Sequence, residues 1–182
     1  MKYGPVSFTD KTGQEILLRN AELKDAEDLR RYLKITTGET PFLIREPEEV
    51  TLTLEQEEAF IRNNMEAERE LLLLAFENGR HIGNCSLMSI GNYNRYRHRC
   101  GVAIALYKEY WGRGIGRKML ETVLDVAKEC GYEQAELEVI ADNQSAVTLY
   151  KSMGFQIHGT FPDNMKYKDG SFVDAYWMMK KL

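Results

Sequence analysis

Gly112, Gly114 and Gly116 stand at alternate positions between an apolar run, residues 100–107, and a segment of helical periodicity, residues 114–130. Glycine leaves the backbone unobstructed. The amides of residues 112–117 (Gly112, Arg113, Gly114, Ile115, Gly116, Arg117) can therefore point into one concavity at a helix N-terminus, where the helix dipole favours an anion. The chemistry this suits is phosphate binding, with Arg113 and Arg117 adding positive charge. The same glycines would also serve simply to turn a strand into a helix. A P-loop is excluded, because no Lys-Ser or Lys-Thr follows the glycines. The dinucleotide fingerprint is excluded too. Its third glycine would come one residue later, where Arg117 stands, and its fold would begin with this unit rather than carry it past mid-chain.

A second informative stretch is ELEVIADNQSAVTLYKSMGF, residues 136–155. Asn143 opens a short helix, and Tyr150 lies seven residues on, two turns along the same face. Asn143 reads equally as a helix N-cap or as a ligand-binding amide. Tyr150 reads, by residue type, as a core aromatic with its hydroxyl at the edge. Glu138 sits on an alternating strand, where a glutamate ordinarily faces solvent.

The elements that must position these residues follow from periodicity. Val6–Phe8 and Ile16–Arg19 are short strands around the turn DKTGQ. Residues 24–34 change to a helical period, with Asp25, Glu27 and Asp28 near the helix start. TTGETPFLIREPEEV reads as a loop, and Thr53 with Gln56 forms a capping box that opens a helix over 54–67. Two apolar runs flank Asn78-Gly79-Arg80, a hairpin signal, and GNYNRYRHR is a polar connection to the run at 100–107. Met119, Leu120, Val123, Leu124 and Ala127 share one face of the helix that ends at Gly131. Residues 135–140 alternate as a strand, and further strands are expected over 155–161 and 172–180. The whole, residues 1–182, reads as a single α+β domain: antiparallel strands first, then a strand–helix–strand–helix unit.

Composition narrows the class. The chain has 182 residues, 43% hydrophobic and 29% charged, as expected of an ordinary globular protein. A net charge of −4 argues against a general nucleic-acid binder. No apolar run approaches the roughly 18–20 residues of a membrane span, and the N-terminus has no apolar signal core, so a cytoplasmic protein is expected. Cys85, Cys100 and Cys130 are odd in number and widely spaced, which favours reduced, buried thiols. The three histidines do not cluster, so no metal site suggests itself.

Taken together, the two stretches resemble the GNAT-type N-acetyltransferases, which move an acetyl group from acetyl-CoA to an amine. Gly114 and Gly116 match that family's pyrophosphate motif [Q/R]-x-x-G-x-[G/A], with Trp111 in place of its Gln or Arg. Asn143, Ala146, Leu149, Tyr150, Gly154 and Phe155 match N-x-x-A-x-x-L-Y-x-x-x-G-F. The resemblance implies the GNAT fold, a twisted, mixed but mostly antiparallel sheet of about seven strands with about four helices. Two parallel strands splay apart there and CoA enters as a pseudo-strand. It further implies that Ile104, Ala105 and Leu106 hydrogen-bond the pantetheine arm, that the amides of 112–117 hold the pyrophosphate, and that Asn143 contacts the cofactor.

The implied chemistry has three demands: an amine of pKa near 10 must lose a proton, an oxyanion needs a donor, and a departing thiolate needs a proton. The Leu106 amide answers the second and Tyr150, as general acid, the third. By resemblance to the ribosomal-protein N-terminal acetyltransferases, Glu138 is a candidate base, with a water chain as the alternative. The expected reaction is direct attack by a primary amine in a ternary complex with acetyl-CoA, without a metal.

The acceptor expected is a small-molecule or peptide amine, with no nucleic acid or membrane partner and with a homodimer left open. The glutamate-rich segment 39–70 borders the acceptor site in the family. It would attract a cationic amine unless it is simply a solvated face. RYRHR, residues 95–99, reads as a basic connection or as a grip for an acidic partner. Two other classes stay open: a non-catalytic acyl-CoA sensor of the same fold, and an unrelated nucleotide binder with a similar turn.

Overall fold

The computed structural model describes residues 1–91 and 93–182; Asn92, part of the polar connection expected after the first hairpins, lies outside them. The strands are β1 (Val6–Thr9), β2 (Glu15–Asn20), β3 (Leu71–Glu77), β4 (Arg80–Ser89), β5 (Arg99–Leu106), β6 (Gln134–Ile140), β7 (Gln156–Lys166) and β8 (Phe172–Lys181). The helices are α1 (Ala26–Glu39), α2 (Leu54–Glu66), α3 (Ile115–Glu129) and α4 (Gln144–Ser152). All eight strands join one sheet in the order β1-β2-β3-β4-β5-β6-β8-β7. Every pairing is antiparallel except that of β5 with β6.

Local signals account for most of these elements. Asn78 and Gly79 both adopt positive φ, 49° and 80°, the geometry a two-residue turn needs to match strand twist. Thr53 and Gln56 cap each other reciprocally and start α2. In α3 the expected face is buried to the last residue, with Met119, Leu120, Val123 and Ala127 wholly inaccessible. Each such large side chain contributes roughly 1.5–3 kcal/mol, so the start of this helix is held firmly to the sheet.

The differences from expectation have identifiable causes. Among the described residues the sheet has eight strands rather than about seven. Helix α1 runs on to Glu39 instead of ending near residue 34. The Thr36 and Thr37 hydroxyls donate back to carbonyls one turn earlier (2.8 Å to Tyr32 and 2.9 Å to Leu33), so two poor helix formers satisfy themselves inside the helix. Strand β7 continues to Lys166, with its pairing irregular between Phe161 and Met165.

The sheet separates two apolar layers. On one face α1 and α2 cover Leu72, Leu74 and Phe76. On the other, α3 and α4 cover Leu71, Leu73, Cys85, Val102, Leu137 and Met178. Cys85 and Cys100 are buried, Cys130 is half-buried, and all three are free; burial pushes each thiol pKa up, that of Cys100 to about 12. They are inert structural thiols rather than nucleophiles.

Candidate active site

Strands β5 and β6 pair in parallel only over Arg99–Gly101 with Gln134–Glu136. Beyond that point each continues, to Leu106 and Ile140, without the other. A buried ion pair stands at the fork. Arg99 on β5 grips Glu136 on β6 through its Nε and Nη2, and these bonds outweigh burial and hold the Glu136 carboxyl below its ordinary pKa. The basic stretch 95–99 thus spends Arg99 on an internal partner rather than on an acidic ligand.

One wall of the gap is β5. Strand amides alternate in direction, and Tyr107 donates its amide to Ile82 on β4 (3.1 Å). With no register shift between β4 and β5, Ala105 likewise faces β4, while Ile104 and Leu106 turn their amides to the gap. Trp111, where the family motif has Gln or Arg, donates its indole N–H to the Leu106 carbonyl (2.9 Å) and ties the strand end to the glycine turn.

The glycine turn follows the strand end directly. Gly114 is the N-cap of α3 at φ +86°, a conformation that a residue with a Cβ strains to adopt. The first recorded backbone donor of the helix is Lys118, to Gly114. Among the described residues the amides of 112–117 donate to no protein acceptor, so six consecutive N–H groups remain for a ligand. The side chains beside them differ in use. Arg113 is committed to Asp10 (2.6 Å) and Glu77, whereas Arg117 is half-exposed and donates to the Ser152 hydroxyl.

The second stretch lies along the gap. Asn143 caps α4, its side-chain oxygen accepting from the Ala146 amide (3.2 Å), which leaves its NH2 group for other partners. Tyr150 is buried edge-on against Phe155, in the layer on the α3–α4 face. Burial, aided by the nearby Cys85 thiol, pushes its pKa up, so it stays protonated across the neutral range. Cys85 pairs across the strands with Ile104, which sets Tyr150 beneath β4 and β5.

Glu138 occupies the opposite face. Leu137 and Val139 point into the α3–α4 layer, so period-two alternation turns Glu138 toward the side of α1 and α2. There it accepts from Asn164 of β7 (2.8 Å) and lies across from Trp177, which neighbours Phe161 at 6.5 Å. Sequence reasoning missed Asn164, Trp177 and Phe161, because they reach the site only through the β7–β8 pairing. On this face lies a cleft of about 600 Å³, between the connection after α1 (Thr40, Pro41, Arg45) and the β7–β8 end (Met165, Tyr167). Glu39 at its rim accepts the Lys108 amide (2.9 Å), just beyond β5.

The glutamate excess of 39–70 is largely used within the protein. Glu46 and Glu48 both hold Lys168 across the cleft, Glu70 accepts from the Ser89 amide, and Glu57 is buried on α2 with its pKa raised by desolvation. The expected acidic lining is therefore partly neutralised where Glu46 lines the cleft beside Lys168.

Comparison with known proteins draws on the same residues. The L-amino acid N-acyltransferase MnaT of Escherichia coli is 27% identical over 111 residues, 61% of this chain and 64% of that protein, so the chain spans under two thirds of this curated relative. An acetyltransferase of the GNAT family from Streptococcus pneumoniae superposes with a TM-score of 0.87 at 33% identity, covering 92% of this chain and 99% of that one. The protein yncA of Salmonella typhimurium, solved with its cofactor acetyl-CoA, shares the fold at a TM-score of 0.80 and 20% identity, over 92% of this chain and 94% of its own. Residues 30–155, which hold the forked strands, the glycine turn and the Asn143–Phe155 motif, match the profile of one family throughout: the chain belongs to the acetyltransferase (GNAT) family.

Proposed function

We propose that this chain is an acetyl-CoA-dependent N-acetyltransferase whose acceptor is the primary amine of a small molecule, with an amino acid as the first class to test. One observation carries the reading. The fork between β5 and β6 has a wall of unspent strand amides leading into six unspent turn amides, and Tyr150 and Glu138 stand on opposite faces of the sheet beside it. Backbone donors suit CoA, which presents amides and phosphates along its length. The amino-acid specificity of the Escherichia coli relative supports the choice of acceptor class.

Acetyl-CoA supplies an activated thioester. Ile104 and Leu106 orient its pantetheine arm along β5, and the amides of 112–117 hold the pyrophosphate. The Leu106 amide donates to the oxygen that becomes negative as the amine attacks, in a site where a preformed donor needs no reorganisation. On the α4 face Tyr150 presents a proton to the departing sulfur. Its raised pKa keeps that proton in place until charge develops. On the opposite face Glu138, oriented by Asn164, accepts the proton the amine must lose.

The test is a turnover screen with acetyl-CoA over a panel of L-amino acids, amines and short peptides, reading free thiol and N-acetyl product together. Equimolar thiol and N-acetyl product with an amino acid is the expected result. Acetyl-CoA binding without product on any amine would identify an acyl-CoA sensor instead.

A further inference from the structure

The N-terminal hairpin reaches the glycine turn from across the sequence. Asp10, at the end of β1, has a fully buried carboxylate that accepts from the Thr12 amide (2.8 Å), the Thr12 hydroxyl (2.7 Å), the Gln14 amide (3.0 Å) and Arg113 Nε (2.6 Å). These donors hold its pKa far below the usual carboxylate range. Arg113 also reaches Glu77 at the end of β3, and its guanidinium lies 4.9 Å from the centre of the Tyr110 ring. The Lys11 amide donates to the Arg113 carbonyl (3.1 Å). The hairpin tip and the glycine turn are thus joined by side chain and by main chain.

Two consequences follow for charge at the turn. Arg113 faces two carboxylates, so its guanidinium is neutralised and turned away from the row of amides. Lys11, in contrast, forms no ion pair among the described residues, and its stem lies along Gly114. A Cβ built on Gly114 would come within 3.3 Å of Lys11 Cε, one bond short of the ammonium. The stem is held beside the first turn of α3, and the amine it carries can reach an anion seated there.

We propose that Lys11 is a coenzyme-binding residue: its ammonium pairs with a phosphate of CoA, and the Asp10–Arg113 clamp holds it in place for that task. This rests on the reading that the 112–117 amides hold the coenzyme. The ligand chemistry is a phosphate ester anion, which CoA offers twice, in its pyrophosphate and in its 3′-phosphate.

Calorimetric titration of the folded protein tests this with acetyl-CoA and with acetyl-dephospho-CoA, at low and high salt. Lys11→Met should weaken acetyl-CoA about fivefold to tenfold at low salt, and the deficit should shrink as salt is added. Lys11→Arg should recover most of the affinity, which a purely structural role for the stem would not require. Asp10→Ala should weaken binding in the wild-type background and add little on top of Lys11→Met, because both changes remove one interaction. If the Lys11→Met deficit persists with acetyl-dephospho-CoA, the partner is the pyrophosphate; if it vanishes there, the partner is the 3′-phosphate. Wild-type affinity for acetyl-CoA in Lys11→Met at low salt would overturn the proposal while leaving the turn as the coenzyme site. A wild-type protein that binds no acetyl-CoA would overturn the turn assignment and the proposal with it.

Discussion

The glycine turn and the cleft are built on opposite principles. The turn is made of main chain: residues 112–117 and the β5 edge are contiguous in sequence and present donors whatever their side chains are. The cleft is made of side chains from segments more than a hundred residues apart, as where Lys168 meets Glu46 and Glu48. A backbone site needs its helix start and the positive-φ glycine, Gly114, that caps it, so one sequence displays it. A side-chain site is defined by which charges cancel, and that is decided only when the chain folds.

The sharpest way to break this contrast is chemical. Tyr150→Phe removes one oxygen from a residue packed against Phe155 and leaves its ring in place. Turnover should fall on the order of a hundredfold or more with acetyl-CoA affinity and melting temperature nearly unchanged. A core-only tyrosine would give normal turnover, and kcat, Kd and Tm from one preparation separate the two.

A smaller effect tests whether the turn acts through its main chain. A Cβ on Gly116 would meet Ile104 Cδ1 and Leu106 Cδ1 at 3.5 Å, ordinary contact, so Gly116→Ala should fold and bind. Gly116→Asp adds a carboxylate beside the phosphates and should cost about 2 kcal/mol or more, roughly thirtyfold in acetyl-CoA affinity. Equal affinities for the two variants in calorimetry would remove the phosphate from this turn.

On the cleft side a few-fold effect is expected. Converting Glu46 and Glu48 to Lys places three cations where Lys168 now has two partners, so the β7–β8 end should be pushed away from the connection after α1. The acceptor KM should rise severalfold and the acetyl-CoA KM stay constant, with added salt softening the change because these side chains are exposed. Equal movement of both constants would mean that the two regions are not separable.

The smallest effect concerns the scaffold beneath α1. His81 is buried against Tyr32 and Phe76; its Nε2 pairs with the Gly83 carbonyl (3.0 Å), its Nδ1 has no partner, and burial lowers its pKa to about 4. The unfolded chain, with a histidine pKa of about 6.5, takes up the proton first. Stability should therefore be full above pH 6.5 and fall between there and about 4. Asp10, Asp25 and Glu136, whose pKa values are lowered, lose their contribution only in more acidic solution. Thermal melts across this window should slope for the wild type and flatten for His81→Leu.

Much of the fold was legible because its signals are local. Asn78-Gly79 forced a hairpin, Thr53 and Gln56 capped α2, and the apolar face of α3 gave its length and orientation. The Asn143 cap and Tyr150 were visible through their spacing on one short helix. The rest was hidden where a residue's role depends on a distant partner. Nothing near Asp10 or Lys11 announces that the turn DKTGQ packs on Gly114, a hundred residues away. Arg113 reads as spare positive charge until Asp10 and Glu77 appear on either side of it. Glu136 and Glu138 are indistinguishable on an alternating strand, yet one closes the fork with Arg99 and the other accepts from Asn164 of β7.

The central claim, that main-chain donors along the β5–β6 fork hold acetyl-CoA, is tested most directly by residue-resolved amide hydrogen exchange with and without the coenzyme. Protection should appear at Ile104 and Leu106 and through 112–117, and should change little at Ala105 and Tyr107, whose amides already face β4. Uniform protection along β5, or none at residues 112–117 on saturation with acetyl-CoA, would contradict it.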